Sequence, residues 1–274
     1  MMRYTIRYVS LLAGMLTVFS SCEHKDLCFD HEAHAPKSDV HVKAVYEKEW
    51  EHTCEGGPDW KQYPAWESRF GMEYHELCPD DPDGLRVQVY NEDGTNNILN
   101  VASEGDIVRM RPGEHSLLLY NNDTEYIVFD DMNSFASAKA TTRTRTRASY
   151  AGNPFMGNTA ENTVNAPDML YGNYIESYTA ERKTEIDELP VTMHPLVFTY
   201  LVRYEFSHGL EYVALAHGAL AGMAGAVWLN SGRTSEEAAT ILYDCTVEDF
   251  GAQACVQSFG IPDYPNEHYT ARAS

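Results

Sequence analysis

The chain has 274 residues, a formal net charge of −21 at pH 7 and 43% hydrophobic residues. A strongly acidic chain repels nucleic acid and anionic lipid headgroups, so neither is expected as a partner. The 18 tyrosines and the aromatic content of 12% indicate a folded, β-rich chain rather than a disordered one. The length suits one large domain or two domains of medium size.

The beginning of the chain predicts a cleaved secretion signal. Arg3 and Arg7 form a basic start, residues 9–19 are apolar but about half as long as a membrane-spanning helix, and small residues precede Cys22. Small residues directly before a cysteine are typical of a bacterial lipoprotein signal. The sequence therefore predicts that residues 1–21 are removed and that Cys22 carries lipid. This lipid would anchor the chain in the outer membrane, at the cell surface or on the periplasmic face.

A tether without an apolar period, residues 22–38, precedes the first strand patterns. Residues 85–90 alternate apolar and polar side chains between two Asp-Gly turns, which predicts a strand. Residues 107–110 and 116–120 flank a Pro-Gly turn and predict a hairpin. Together these patterns predict an N-terminal β-sandwich over residues 39–140.

Residues 51–82 interrupt this regularity with glycine, proline and aromatic residues. They predict a long insertion with its own small aromatic cluster. Trp60 and Trp66 are the candidates for a glycan-stacking platform on this insertion. The alternative is a small loop core, because aromatic rings that can be buried usually are.

Five cysteines follow Cys22, and a compartment beyond the inner membrane permits disulfides. Cys54 with Cys78, and Cys245 with Cys255, are the pairs nearest in sequence and the candidates for disulfides. An odd number leaves at least one thiol unpaired. For Cys54 and Cys78, unpaired thiols and a zinc site with neighbouring histidines remain alternatives. The sequence predicts no metal and no cofactor.

The second half of the chain follows a predicted linker over residues 141–170, because the Thr-Arg repeat 141–147 is polar and basic. A C-terminal β-sandwich is predicted over residues 171–274. Within it, residues 198–206 carry apolar side chains at alternate positions, which therefore share one face of a strand. The Gly-rich run 215–229 is too short to span a membrane and predicts a strand, a bend and a second strand.

Catalytic patterns are absent from the sequence. It contains no Gly-x-Ser-x-Gly, no His-Glu-x-x-His and no phosphate-binding loop. Carboxylates are numerous but evenly spread. The sequence therefore predicts a protein that is not an enzyme, with no catalytic residue to name.

Several stretches in this order resemble an uncharacterised lipoprotein family of Bacteroidota, which is similar to the fimbrillin-like group. They are CEHKDLCFDH at 22–31, PGEH at 112–115, YNNDTE at 120–125, PDMLYG at 167–172, ALAGMAG at 219–225 and SFG at 258–260. The resemblance implies an all-β fold of two tandem transthyretin-like β-sandwich domains. It also implies relatives that are pilus subunits, pilus anchors and surface lipoproteins without a catalytic site.

The resemblance further implies additional strands after residues 258–260, and residues 266–274 do not match them. Either the gene is truncated, or the last sandwich lacks a strand and its open groove accepts a donor strand from a partner. The predicted role is structural: a fimbrial anchor or accessory subunit, or an adhesin-like surface module, with a pilin-like protein as partner. The alternative is a glycan-binding surface lipoprotein of a polysaccharide-uptake system.

Overall fold

The computed structural model describes residues 37–48, 66–146 and 162–266. The predictions for the signal segment, the lipid at Cys22, Cys54 and Trp60 lie outside these ranges, as does the chain after residue 266. The described residues form one compact unit. Within the described ranges, no helix has the length and apolar character needed to cross a bilayer.

Strands dominate the described residues, so the predicted all-β class is confirmed. In chain order the elements are β1 (Val40–Tyr46), α1 (Trp66–Phe70), a 3-10 helix (Tyr74–Leu77), β2 (Leu85–Asn91), β3 (Asn96–Val101), β4 (Ile107–Val108), β5 (Gly113–Asn121), β6 (Ile127–Asp130), β7 (Lys139–Thr142), β8 (Thr163–Asn165), β9 (Tyr171–Ala180), β10 (Asp187–Pro195), β11 (Phe198–Glu205), a second 3-10 helix (Leu210–Tyr212), β12 (Ala216–Ala224), β13 (Ala226–Trp228), β14 (Ala238–Glu248) and β15 (Gly251–Ser258).

The described strands form three sheets. A seven-stranded sheet has the order β3-β2-β5-β9-β10-β1-β4. Within it β1 and β10 run parallel, with Val42 opposite Leu189, and the other neighbours run antiparallel. A five-stranded sheet follows the path β11-β15-β14-β12 with β8 beside β14, and a three-stranded sheet has the order β13-β7-β6.

The central strand β5 is buried on both of its faces. Leu117 and Leu119 pack with Val87 in one core, named here the first core, whereas Leu118 and Tyr120 pack in a second core. Because the side chains of a strand alternate between its faces, a strand with both faces buried carries an unbroken apolar run. The sequence Leu-Leu-Leu-Tyr of β5 is such a run.

The predicted hairpin of residues 107–110 with residues 116–120 is wrong. β4 pairs with β1, where Val108 lies opposite Val40, and β5 pairs with β2 and β9 instead. Strands that are neighbours in sequence commonly pair. Here Val108 and Val40 are both fully buried in the first core, and this shared burial decides the partner.

The predicted boundary between two domains also differs from the structure. The sequence assigns β9 and β10 to the C-terminal sandwich, yet β9 pairs with β5 and β10 pairs with β1. Both strands contribute side chains to the first core, including Tyr171, Val191 and Met193. The seven-stranded sheet therefore takes strands from both predicted domains, and two separate domains are not confirmed.

The described part of the Thr-Arg repeat, residues 141–146, is joined to neighbouring strands. β7 pairs with β6 and β13. Directly after β7, the backbone groups of Arg143 and Arg145 form hydrogen bonds of 2.9 Å with residues 163–165. The repeat looks like a linker because its composition is polar, but its alternate positions Ala140 and Thr142 are buried.

Replacement of Leu118 by Ala is expected to lower the free energy of unfolding by about 2–5 kcal/mol, because it leaves a cavity beside a doubly buried strand. The control Leu215→Ala removes the same atoms from a side chain that is 75% exposed and should change it by less than about 0.5 kcal/mol. Urea denaturation followed by circular dichroism measures both values. Equal effects of the two substitutions would contradict the burial of β5 on both faces.

Candidate docking site

Two of the stretches that carry the family resemblance meet at one junction. The buried amide of Asn121 donates to the carbonyl oxygen of Met169 at 3.1 Å and accepts from the backbone N–H of Tyr171 at 2.7 Å. One carboxylate oxygen of Asp168 accepts the backbone N–H groups of residues 125–127 at distances between 2.5 and 3.2 Å. These side chains join the start of β6 to the start of β9, so their role is structural.

The Gly-rich run and the Ser-Phe-Gly stretch meet at a second junction. The backbone N–H of Ala224 donates to the carbonyl oxygen of Gly260 at 2.8 Å. The register of β12 shifts between Leu220 and Met223, where Gly222 has a φ of 78° that favours glycine. The predicted strand, bend and second strand are confirmed, and the chain passes from the five-stranded to the three-stranded sheet between Ala224 and Ala226.

An apolar cleft of about 440 Å³ lies between the aromatic insertion and the beginning of β11, and is named here the β11 cleft. Helix α1 and the 3-10 helix after it supply one wall, and the chain from the end of β10 into β11 supplies the other. The lining residues are Lys48, Trp66, Phe70, Tyr74, Leu77, Cys78, Pro79, Met169, Pro195, Val197, Phe198, Thr199 and Leu201. Lys48 adds one charge to this lining, and its Nζ lies 3.2 Å from the Asp81 carboxylate.

The aromatic wall is the cluster that the sequence predicts in the insertion. The ring centroids of Trp66 and Phe70 are 4.6 Å apart, and those of Trp66 and Tyr74 are 5.3 Å apart with nearly perpendicular rings. Trp66 is half-buried by these neighbours, which is typical of a small loop core rather than of an open stacking surface. Because Trp60 lies outside the described residues, the glycan platform stays a prediction.

The second wall contains the edge of a sheet. Strand β11 is the outermost strand of the five-stranded sheet, its inner side pairs with β15, and no described strand pairs with its outer side. Phe198 and Thr199 point to opposite faces of this strand, and both line the cleft, so the cleft lies along the edge itself. An edge strand presents N–H and C=O groups with which another extended chain can pair. The site is therefore suited to an extended segment with apolar side chains.

Sequence reasoning missed Leu201, Phe70 and Leu77 as residues of this site. A signal for Leu201 is present in the sequence, because residues 197–201 carry apolar side chains at both alternating positions. Such a run indicates contacts on both faces of a strand. For Phe70 and Leu77 the sequence offers no comparable signal, since the insertion has no period.

Cys245 and Cys255 lie on opposite faces of the five-stranded sheet. β14 and β15 pair with Thr246 opposite Gln253, so the next position places Cys245 opposite Ala254. Cys245 and Ala254 pack on the same apolar cluster, whereas Cys255 is exposed. Both are free thiols, and partial burial raises the pKa of each. The predicted disulfide between Cys245 and Cys255 is therefore not formed in the structure.

Cys78 lies half-buried in the wall of the β11 cleft. Its candidate disulfide partner Cys54 lies outside the described residues, so this disulfide stays a prediction. His75, from the alternative zinc set, is exposed, and its Nδ1 lies 2.9 Å from the Glu73 carboxylate. Among residues 37–48, 66–146 and 162–266, no three His, Cys, Asp or Glu side chains are arranged to hold a metal ion.

Arg145 of the Thr-Arg repeat is held on the polar face of the five-stranded sheet. Its guanidinium donates to both carboxylate oxygens of Asp244, at 2.9 and 3.2 Å, and Nδ1 of His217 lies 2.7 Å from the same carboxylate. The hydrogen bond from Arg145, and then the one from His217, lower the pKa of Asp244 below its ordinary value. The repeat is thus tied into the fold at Arg145.

Replacement of Arg145 by Gln is expected to raise the pKa of Asp244 toward its ordinary value. Because the folded-state pKa is lowered, the ion pair stabilises the fold above the unfolded pKa of about 3.9, and this contribution is lost as the pH falls through the folded-state pKa. Solvent screens the pair, since the Asp244 side chain is 61% exposed, so the loss at pH 7 is at most about 1 kcal/mol. Carboxyl NMR titration measures the pKa, and urea denaturation at pH 7 and pH 3 measures the stability.

The matched control is Arg143→Gln, which removes an exposed arginine of the same repeat. This control should leave the pKa of Asp244 unchanged. An equal shift of that pKa in both variants would contradict the assignment to Arg145.

The described residues thus form an all-β protein with an apolar cleft along the edge of a sheet. Residues 62–244 match a family described as Domain of unknown function (DUF5119). This match covers more than half of the chain, and the chain belongs to that family. The resemblance to an uncharacterised family of fimbrial relatives is confirmed.

One relative with an assigned name comes from Bacteroides ovatus. A protein provisionally named fimbrium anchoring subunit Fim4B is 27% identical over 173 residues, which are 62% of this chain and 50% of that relative. The chain thus spans about half the length of this relative.

Two crystal structures of provisionally named adhesins from Bacteroides ovatus share the fold. One has a TM-score of 0.59 at 22% identity, covering 89% of this chain and 72% of the other. The second has a TM-score of 0.51 at 10% identity, covering 90% and 74%.

Proposed function

We propose that this chain is a structural subunit of a fimbria-like assembly at the bacterial cell surface. It serves as an anchor or accessory subunit, or as an adhesin-like module, and not as an enzyme. This role is supported by the relative from Bacteroides ovatus, whose name describes a fimbrium anchoring subunit. The observation that carries the proposal is the β11 cleft, which combines an apolar lining with the edge of a strand. A subunit of an assembly must bind its neighbour, and such a cleft offers a surface for that binding.

The partner docks by adding an extended segment to the outer side of β11. Main-chain hydrogen bonds to the strand supply affinity, and alternate side chains of the segment enter the cleft between Leu201 and the aromatic wall. A pilin-like protein with an apolar terminal segment has the chemistry that this arrangement requires. The inner side of β11 keeps its pairing with β15, so docking extends the sheet without rearranging it.

Attachment to the membrane is proposed to occur through lipid on Cys22. The chain has a net charge of −21, so its surface offers no electrostatic attraction to anionic headgroups. The acyl chains must then supply the binding energy, and two or more chains are needed for stable anchoring. The subunit would remain in the outer membrane, with its folded part facing the surface or the periplasm.

Replacement of Leu201 by Glu is expected to reduce co-purification of a pilin-like partner at least about tenfold, because it places a carboxylate in an apolar cleft. The measurement is quantitative mass spectrometry of the tagged lipoprotein, purified from detergent-solubilised envelopes. Ile98→Glu places the same charge on β3, at the edge of the seven-stranded sheet, where the side chain is 53% exposed. This control should keep the partner, and thermal melting checks that both variants fold.

A pilin-like protein that still co-purifies with Leu201→Glu would contradict docking at the β11 cleft. Recovery of no such protein with the unaltered chain would contradict the fimbrial role itself.

Replacement of Cys22 by Ser is expected to abolish incorporation of labelled palmitate and to move the protein from the membrane to the soluble fraction. The reason is that small residues directly precede Cys22, as a lipoprotein signal requires, whereas Asp26 and Leu27 precede Cys28. Cys28→Ser, six positions further on in the tether, is the control and should retain the label. Palmitate incorporation that persists in Cys22→Ser would contradict lipidation at this residue.

A further inference from the structure

The far end of the five-stranded sheet displays large apolar side chains to solvent. The chain between β11 and β12 passes from one edge of this sheet to the other at that end, beside the turn between β14 and β15. Tyr212 is 86% exposed and Leu215 is 75% exposed, and Tyr204 and Phe206 are 42% and 38% exposed. These four residues are named the apex patch.

The four residues of the apex patch lie at the same end of the five-stranded sheet. Single exposed apolar residues are normal on a soluble protein, but several at one place mark an interaction site. Tyr212 and Leu215 are the two most exposed large hydrophobic side chains in the described part of the chain. Tyrosine is also a preferred anchor of protein interfaces, because it buries a large apolar ring and keeps a polar end.

The loop that carries the patch is ordered by its own hydrogen bonds. Gly209 has a φ of 79°, and the 3-10 helix Leu210–Tyr212 begins directly after it. The backbone N–H of Tyr212 donates to the carbonyl oxygen of Gly209 at 3.1 Å, and that of Val213 donates to Leu210 at 2.9 Å. The side chain of Tyr212 is therefore displayed by a fixed turn, which lowers the entropy cost of binding.

Acidic side chains surround the patch. Glu205, Glu211, Glu248 and Asp249 lie on the loop and on the neighbouring turn, and residues 204–216 and 246–252 contain no lysine or arginine. The turn is joined to the patch, because the backbone N–H of Phe206 donates to the carbonyl oxygen of Phe250 at 2.9 Å. Arg203, next to the patch, is engaged by Glu205 at 3.0 Å and by the Phe250 ring. The surface is thus apolar with a negative rim.

We infer that the apex patch is a second docking surface, which binds a protein partner that presents an apolar pocket rimmed by lysine and arginine. The inference deepens and rests on the proposed function, because a chain with docking surfaces at both ends of β11 can join two neighbours in one assembly. The negative rim opposes an anionic lipid surface and a second copy of this acidic chain. A protein pocket with a basic rim can bury the apolar side chains of the patch and pair with the carboxylates around it.

The test places a photo-crosslinking amino acid at position 212 of the full-length chain in its native cells. The expected product is an adduct with a different protein, and sequencing of the crosslinked peptide should find lysine or arginine beside apolar residues. The double substitution Glu211→Lys with Glu248→Lys should lower the adduct yield at least about tenfold through like-charge repulsion. The double substitution Glu236→Lys with Glu237→Lys, at two exposed positions before the start of β14 and away from the patch, is the charge-matched control and should leave the yield unchanged.

An adduct with lipid, an adduct with a second copy of the chain, or no adduct at all would overturn the inference. An adduct yield that stays the same after the charge reversal would overturn it too. Leu215→Ala should also lower the yield, and its exposed position keeps the fold intact. The cleft variant Leu201→Glu should leave the adduct at position 212 unchanged. Loss of partner binding at the β11 cleft can therefore be distinguished from loss of binding at the apex patch. Loss of the adduct in Leu201→Glu would mean that a single partner site exists, and would overturn the second surface.

Discussion

The burial of β5 on both faces is the constraint on which the rest of the structure depends. Leu117 faces the first core and Leu118 the second, so a shift of register by one residue would exchange the two cores. The same sheet places the β11 cleft. Met169, which lines the cleft, packs against both cores, and Val197, which lines it too, belongs to the second. The two cores therefore fix the positions of these two residues in the cleft lining.

The existence of most strands could be predicted from the sequence, but their partners could not. Alternation predicts that every second residue from Phe198 to Phe206 shares a face. The continuous register of β11 with β15 over Phe198–Glu205 agrees with this within the strand, and Tyr200 and Val202 pack on one apolar cluster. Pairing depends on which apolar sides share a core, and this is a property of the whole chain. For that reason β4 joins β1, and β9 returns to β5. The polar composition of the Thr-Arg repeat predicts a linker, but small buried side chains lie there among exposed cations.

The docking surfaces could be predicted only in part. The sequence indicates the aromatic cluster around Trp66, but not that it faces β11, because the insertion has no period that would orient it. Cys245 and Cys255 are neighbouring cysteines in the sequence, yet the pleat directs them to opposite faces of the sheet. Tyr212 and Leu215 follow no period either, and only the structure reveals that they remain exposed.

In the proposed role as a structural subunit, the chain binds its neighbours through the edges of its sheets. The central claim is that a partner segment pairs with the outer side of β11 inside the cleft. The most direct measurement is a cryo-electron microscopy structure of the lipoprotein purified from its native envelope with its bound neighbour. The account predicts an additional strand hydrogen-bonded to β11, with side chains against Trp66 and Leu201. A neighbour bound elsewhere, with the edge of β11 open to solvent, would contradict it.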